Sequence, residues 1–255
     1  QNIISDIDVL ILTHNFGFLP NLPEIAKLCK KHQVILIEDC AQALGATYNH
    51  QLAGSFGDYA FYSFGISKNL GFCGGMISSK QPIEITKQQP FPTNKLFKVI
   101  LESIISPLFF NRYIYPLTSR LLKNELTKEQ DQLNYQLPYF AKKVILNQFK
   151  RYHQILENRR KNATTCHNKL NANWVRSTSQ TNPACLYFTL LTNQRKTLIH
   201  KLLKAGLELG EMQTFHCFDP NFPKAVTAKN QHLTFALYRN QSEIKKIIEI
   251  INSSI

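Results

Sequence analysis

Four polar residues near the start of the chain have types and spacing that would suit cofactor chemistry. Asp39 ends the apolar run VILIED, and Gln42 follows it by three positions. Ser63 lies in the alternating run DYAFYSF, and Lys68 follows the glycine that ends this run. Removing water from a lysine ammonium is costly unless a partner compensates, so a lysine placed between an aromatic run and a glycine cluster suggests a function.

A lysine close to an acidic group is what pyridoxal phosphate chemistry requires. The amine bonds to the cofactor aldehyde, and a carboxylate such as Asp39 keeps the ring nitrogen protonated. Gln42 could bond a ring substituent, and Ser63 could donate to the phosphate. Each residue alone has an ordinary alternative: Lys68 as an exposed loop lysine, Asp39 as a turn former, and Ser63 as a core hydroxyl.

The elements that would position these residues can be read from the periodicity. Residues 9–14 and 34–39 are short apolar runs typical of strands, and LPEIAKLCKKH between them has helical spacing with Pro23 in the first turn. This order predicts a βαβ unit, and unbroken apolar strands predict a parallel sheet covered on both faces. Ligands of such sheets bind at the carboxyl ends of the strands, which is where Asp39 falls.

Composition and charge limit the class of protein. The apolar fraction of 44% and charged fraction of 18% are those of a globular protein. The net charge of +13, concentrated at residues 141–170, favours an anionic partner, but no nucleic-acid motif accompanies it, so nucleic acid is not an expected partner. Six cysteines without C-x-x-C spacing predict reduced thiols in a cytoplasmic protein, and we expect no metal site.

An apolar segment at residues 96–116 separates the first part of the chain from the rest. Lys98, Glu102 and Arg112 interrupt it, so it is too short for a membrane span. It could contact a membrane surface or a partner peripherally, or it could pack within its own fold; the sequence leaves both open.

The last part of the chain predicts a smaller α/β unit. Residues 141–165 have a long helical pattern, and ACLYFTLL is a strand candidate. A helix carrying Leu198, Leu202 and Leu203 follows. The C-terminal run SEIKKIIEIINSS places Ile244, Ile247, Ile248 and Ile251 on one helical face.

Several segments together resemble the DegT/DnrJ/EryC1/StrS sugar aminotransferases, which are fold-type I pyridoxal phosphate enzymes. They are THNFG, ILIEDCAQALGATYNHQLAGSFGDYAFYSF, the SK pair with its downstream GG, and LNYQLPYFAKKVILNQFKRYHQILENRRKNA. The resemblance implies that Asp39 pairs with the ring nitrogen and Gln42 lies against the cofactor. It also implies that Ser63 contacts the phosphate and that Lys68 is the Schiff-base residue.

The same resemblance implies further properties. Asn134 of the NYQ stretch would reach the phosphate from the second subunit of a homodimer, although Gln136 stands where arginine is usual. The fold would be a mostly parallel α/β sheet flanked by helices, with a small C-terminal α/β domain. Residues 1–88 would be the remainder of the large cofactor domain, 89–140 an apolar helical insert and connection, and 141–255 the long helix and small domain.

The reaction implied is transamination of a nucleotide-linked keto sugar, with glutamate as the common amino donor, for amino-sugar and surface polysaccharide synthesis. Lys68 argues against the dehydration that some relatives perform, since those relatives replace this lysine.

Two departures from the family pattern keep an alternative open. The N-terminal stretch usual before THNFG is absent, so the chain reads as N-terminally truncated, and Cys73 stands where glutamate is common. The alternative is an inactive fragment or non-catalytic homologue that acts as a membrane-binding or protein-binding module.

Overall fold

A computed structural model of the protein describes residues 3–65, 68–85, 88–109, 135–174, 178–207, 209 and 221–255. The chain divides into two compact units. The first comprises Gln1–Val99, Asn134–Glu157 and Ser177–Leu186, and the second comprises Ile100–Leu133, Asn158–Arg176 and Tyr187–Ile255. Asn134, and Cys217 among the six cysteines, lie outside the described residues.

Short strands and mostly longer helices make up the described part of the chain. The strands are β1 Val9–Thr13, β2 Ile35–Asp39, β3 Thr47–Tyr48, β4 Gln51–Leu52, β5 Tyr59–Ser63, β6 Gly75–Ser79, β7 Asn173–Trp174, β8 Thr181–Asn182, β9 Tyr187–Leu191 and β10 His232–Ala236. The α-helices are α1 Leu22–Lys31, α2 Thr93–Phe109, α3 Tyr139–Phe149, α4 Tyr152–Lys169, α5 Arg195–Lys204, α6 Pro223–Gln231 and α7 Gln241–Asn252. Single 3-10 turns lie at Ile3–Asp6 and Asn15–Gly17.

The main sheet of the first unit has the strand order β1-β2-β5-β6. β1, β2 and β5 are parallel, while β6 runs antiparallel to β5, so the sheet is mostly parallel as predicted. Thr13 is in register with Asp39, and Asp39 with Phe61. The carboxyl ends of the three parallel strands therefore meet at one edge, where ligands of α/β sheets bind.

Helix α1 covers one face of this sheet. Pro23 stands in its first turn, where a missing N–H costs nothing. Cys29 on the helix packs with Val34 and Leu36, and the side chains of Leu10 and others in β1 pack against this cluster. The predicted βαβ unit is confirmed, because its apolar helical stripe meets the inward side chains of both strands.

The other face of the main sheet is only partly covered by the described residues. Side chains alternate between the two faces of a strand, and one set remains open: Ile11 is 59% exposed and Ile77 is 66% exposed. This differs from the cover on both faces that apolar strands predict. The other large apolar side chains exposed on this face are Val9, Ile35 and Phe61.

The second unit contains a three-stranded antiparallel sheet in the order β10-β9-β7. Phe235 and Phe188 are register partners on β10 and β9, and their rings stack with centroids 5.4 Å apart. The four isoleucines predicted for one face of the last helix are all buried, which confirms that interpretation.

The long helix predicted for residues 141–165 is wrong in one respect. Two helices, α3 and α4, occupy this region, and they are interrupted at residues 150–151. The amide of Arg151 bonds the carbonyl of Gln148, three residues back, so the α-helical ladder is broken there. The hydroxyl of Tyr152 then donates to the carbonyl of Leu44, which fixes the start of α4.

Helix α2 contains the described part of the predicted apolar segment. Phe97 and Ile104 on α2 are each 68% exposed. Among the helices that the structure describes, none combines the length and the apolar character needed to cross a bilayer. Residues 110–116 of the segment lie outside the described ranges.

Candidate active site

The candidate site lies at the carboxyl edge of the main sheet, where β1, β2 and β5 end. Backbone hydrogen bonds tie these strand ends together. The amide of His14 donates to the carbonyl of Asp39 at 3.1 Å, and the amide of Cys40 donates to the carbonyl of Phe61 at 2.9 Å. The edge is therefore a fixed frame for the side chains that follow each strand.

Asp39 and Gln42 belong to the turn that leaves β2. The Oδ1 of Asp39 accepts from the amide of Ala41 at 3.0 Å, and the Oε1 of Gln42 accepts from the amide of Phe16 at 2.8 Å. Gly17 makes this approach possible, because a Cβ at its φ of +83° would lie 2.9 Å from the carbonyl of Gln42. With Oε1 engaged, the Nε2 of Gln42 is the group left to donate to a ligand.

Lys68 lies in a turn just after β5, as its place in the sequence predicts. Its amide donates to the carbonyl of Gly65 at 2.9 Å. The Cγ of Lys68 and the Oγ of Ser63 lie 3.6 and 3.8 Å from the point that a Cβ on Gly65 would occupy. A Cβ at residue 65 would thus be in van der Waals contact with both side chains, so Ser63 and Lys68 flank the same point.

Hydrogen bonds hold the loop that carries Lys68 at both ends. The amide of Phe64 donates to the carbonyl of Gly74 at 2.8 Å, and the amide of Phe72 donates to the carbonyl of Phe64 at 2.7 Å. The side-chain amide of Gln148 on α3 then bonds both backbone groups of Gly71, at 3.1 and 2.9 Å. No local sequence pattern marks this role of Gln148, because the two residues are 77 positions apart.

The electrostatic environment of Lys68 fits a reactive amine. Burial lowers the pKa of Lys68 below its ordinary value, and the carboxylate of Asp39 opposes this shift. The lysine is half-buried, so the larger effect is loss of hydration. A lowered pKa leaves more of the amine unprotonated near neutral pH, which is the form that attacks an aldehyde.

These residues fit pyridoxal phosphate. One sheet edge presents a desolvated amine, a carboxylate acting on that amine, and an amide with an available donor. The hydroxyl of Ser63 lies beside Gly65 together with the side chain of Lys68. The fit concerns Asp39, Gln42, Ser63 and Lys68; Asn134 lies outside the described part of the chain.

A second polar group lies directly behind this edge, and sequence reasoning did not find it. Glu38 and His14 are 0% and 1% exposed, and the Nε2 of His14 lies 3.0 Å from Glu38. The atoms of His14, Glu38 and Cys40 that could ligate a metal lie within 4.8 Å of one another. We do not infer a metal site, because both oxygens of Glu38 already accept two hydrogen bonds each and burial raises the pKa of the Cys40 thiol.

The fold and the sheet-edge lysine define the class of fold-type I pyridoxal phosphate proteins. The model of the DegT/DnrJ/EryC1/StrS aminotransferase family matches residues 2–236, so the chain belongs to this family. It is similar in fold to a putative sugar aminotransferase from Streptococcus pneumoniae in its PLP form, with a TM-score of 0.69 and 18% identity. That alignment covers 98% of this chain and 68% of the other.

One further solved structure and two curated proteins are also similar to this chain. A DegT DnrJ EryC1 StrS aminotransferase from Brucella abortus aligns with a TM-score of 0.70 at 17% identity, covering 96% of this chain and 63% of that one. A UDP-N-acetyl-3-dehydro-alpha-D-glucosamine 3-aminotransferase of Acidithiobacillus ferrooxidans is 49% identical over 70 residues, which is 27% of this chain. A GDP-perosamine synthase of Vibrio cholerae is 35% identical over 79 residues, or 31% of this chain. The matched stretches span 19% and 22% of these two relatives.

Proposed function

We propose that the chain is the catalytic part of a pyridoxal phosphate-dependent aminotransferase that acts on a nucleotide-linked keto sugar. The observation that carries the proposal is the half-buried amine of Lys68, on which the carboxylate of Asp39 acts at the edge of a parallel sheet. Family membership supports the cofactor, and the names of the curated relatives support the class of substrate.

The cofactor, when bound, would supply an aldehyde for the amine and a ring that accepts electrons from the substrate carbon. The Nζ of Lys68 would hold it covalently at rest and would afterwards move a proton to and from that carbon. Bonding to the aldehyde and taking the proton from the carbon both need an unprotonated amine, and the lowered pKa of Lys68 favours this form.

The neighbouring residues would orient the group. The carboxylate of Asp39 would keep a proton on the ring nitrogen, and the Nε2 of Gln42 would donate to a ring oxygen, because its Oε1 is held by Phe16. The Oγ of Ser63 would donate to the phosphate, and Asn134 of a second subunit would do the same.

The test is to mix the purified chain with pyridoxal phosphate, record the visible absorbance, reduce with borohydride and map the adduct by peptide mass spectrometry. We expect one principal adduct, at Lys68. In Lys68→Ala this adduct should be absent, while Lys80→Ala, which removes an exposed lysine directly after β6, should keep it. An adduct spread over surface lysines would contradict the proposal.

The amino donor and the substrate need a separate measurement. We infer that glutamate is the donor, which predicts that adding glutamate to the loaded protein converts its absorbance to that of the aminated cofactor. The acceptor can then be identified by adding nucleotide-linked keto sugars one at a time and following the return of the absorbance to that of the aldehyde form. If aspartate or alanine reacts and glutamate does not, the inferred donor is wrong.

A homodimer in the cytoplasm is also part of the proposal. The described cysteines are free thiols, which suits a reducing compartment. Helix α3 exposes Tyr139, Leu146 and Phe149, and these apolar side chains are available for a second copy. Light scattering on the wild type and on Leu146→Glu would test this, with a dimer expected only for the former.

Peripheral contact with a membrane through residues 96–116 is an additional hypothesis. The exposed side chains of Phe97, Leu101 and Ile104 recur at intervals of four and three residues on α2, which favours an apolar stripe. Co-sedimentation with vesicles of anionic phospholipid, compared with Phe97→Ser, would test it. Equal sedimentation of both proteins would exclude this stripe as the contact.

A further inference from the structure

The buried pair of Glu38 and His14 has no part in the proposed chemistry, yet both carboxylate oxygens of Glu38 are engaged in hydrogen bonds within the described part of the chain. The Oε1 of Glu38 accepts from the amides of Phe56 and Gly57 at 2.8 and 2.7 Å. Its Oε2 accepts from the amide of Gly54 at 2.8 Å and faces the Nε2 of His14 at 3.0 Å. A carboxylate with both oxygens so engaged has one stable orientation.

The loop that supplies these amides is shaped to reach Glu38. A Cβ on Gly54 would overlap the hydroxyl of Tyr62, and a Cβ on Gly57 would lie 2.7 Å from the carbonyl of Leu36. The glycines therefore let the loop press against β2 and β5 while its amides point at one carboxylate. A side chain at either position would push the loop away.

The histidine ties the same carboxylate to β1. Three backbone amides donate to Glu38 and its pKa lies below the ordinary value, so the carboxyl is ionised at neutral pH and accepts the proton on Nε2 of His14. Among the described residues, the buried Nδ1 of His14 has no hydrogen-bond partner, so a proton there would lack an acceptor. The Nε2–H of His14 thus links β1 to the carboxylate of Glu38.

This network lies directly behind the candidate site. Successive side chains of a strand point to opposite faces, so the side chains of Glu38 and Asp39, which are consecutive in β2, lie on opposite faces of the sheet. The amide of His14 also donates to the carbonyl of Asp39 at 3.1 Å. We propose that Glu38, with His14, is a positioning residue that fixes the carboxyl end of β2 so that the carboxylate of Asp39 faces the amine of Lys68.

The inference rests on the proposed function for its purpose, but its test does not need the cofactor. Competitive acetylation with acetic anhydride, read by peptide mass spectrometry across a pH series, reports the titration of Lys68 itself. The shift of the Lys68 titration in Asp39→Asn is the reference with which the other variants are compared. Asp39→Asn removes a negative charge that favours the ammonium form of Lys68, so the midpoint of the Lys68 titration should move to lower pH.

Glu38→Gln should move the Lys68 midpoint in the same direction, since one amide oxygen cannot accept all four donors. His14→Phe should also lower the titration midpoint of Lys68. His14→Gln, which retains an N–H donor, should lower this midpoint less than His14→Phe does. Asp58→Asn is the matched control: Asp58 accepts from the amide of Leu36 at the other end of β2, at 2.9 Å, and its replacement should leave the midpoint unchanged.

The proposal is overturned if Glu38→Gln has the circular dichroism of the wild type and an unchanged midpoint while Asp39→Asn lowers it. If Glu38→Gln does not fold, the two His14 variants replace it. An unchanged Lys68 midpoint in folded His14→Phe would then overturn the proposal, and so would equal shifts in His14→Phe and His14→Gln. An unchanged midpoint in Asp39→Asn would also overturn it, because Asp39 would then not face Lys68. Failure of the proposed function would appear separately, as a wild type that forms no borohydride-fixed adduct at Lys68.

Discussion

The sheets of the two units differ in how completely their apolar side chains are buried. In the second unit every residue of β10 is buried, including Phe235 at 0% exposure. In the first unit the main sheet is buried against α1 but exposes large side chains such as Ile11 and Ile77 on the opposite face. Apolar strand residues thus predict a sheet, while neighbouring elements decide whether each face is covered.

The difference extends to what holds each unit together. The second unit rests on apolar packing, with Ile244, Ile247 and Ile251 of α7 all fully buried. The edge of the first unit is fixed instead by polar groups, of which Glu38 accepts the most hydrogen bonds among those described above. We expect the two regions to respond differently to loss of apolar volume and to acid.

The largest effect should come from removing apolar volume in the second unit. Ile247→Ala leaves a cavity at a fully buried position and should lower the free energy of unfolding by about 2–5 kcal/mol. Urea unfolding followed by circular dichroism would measure it. Ile11→Ala makes the same chemical change at a residue that is 59% exposed, and an equal loss there would refute the contrast between the units.

Acid should weaken the first unit through Glu38. Burial by itself would raise the pKa of Glu38, but hydrogen bonds from His14, Gly57 and Gly54 more than offset it, so the pKa lies below the ordinary value of 4.5. A lowered folded-state pKa contributes stability above the unfolded value, and this is lost as the pH falls below 4.5.

The measurement for this prediction is the urea midpoint at a series of pH values from 7 downwards. Glu38→Gln should be less stable than the wild type at pH 7 and should lose less stability on acidification. Parallel acid profiles for the two proteins would show that other carboxylates cause the acid sensitivity.

The smallest effect should follow from a change on the open face of the main sheet. Ile77→Thr replaces a side chain that is 66% exposed by another β-branched residue, so the free energy of unfolding should change by no more than about 0.5 kcal/mol. Binding of a hydrophobic dye should fall, because less apolar surface is open to solvent. A loss of several kcal/mol would mean that this face is covered in solution.

Local patterns in the sequence predicted much of this architecture. Alternation and helical spacing gave β1, α1, β2 and β5, since burying an apolar stripe demands a fixed period. The run ending in Asp39 and the lysine after Gly65 placed two candidate groups at one edge, because parallel strands share their carboxyl ends. The motif roles of Gln42 and Ser63 stay predictions that the adduct experiments address.

What the sequence by itself determined, therefore, is the order of the elements and the place of the candidate amine of Lys68 just after β5, which depend on neighbours a few positions away. The tertiary structure alone decided which distant groups bond the loop after β5 and the carboxyl end of β2. Gln148 reaches Gly71 across 77 residues, and Glu38 is held by backbone amides that every residue except proline possesses. Such bonds depend on how distant segments meet in space, so no residue pattern announces them.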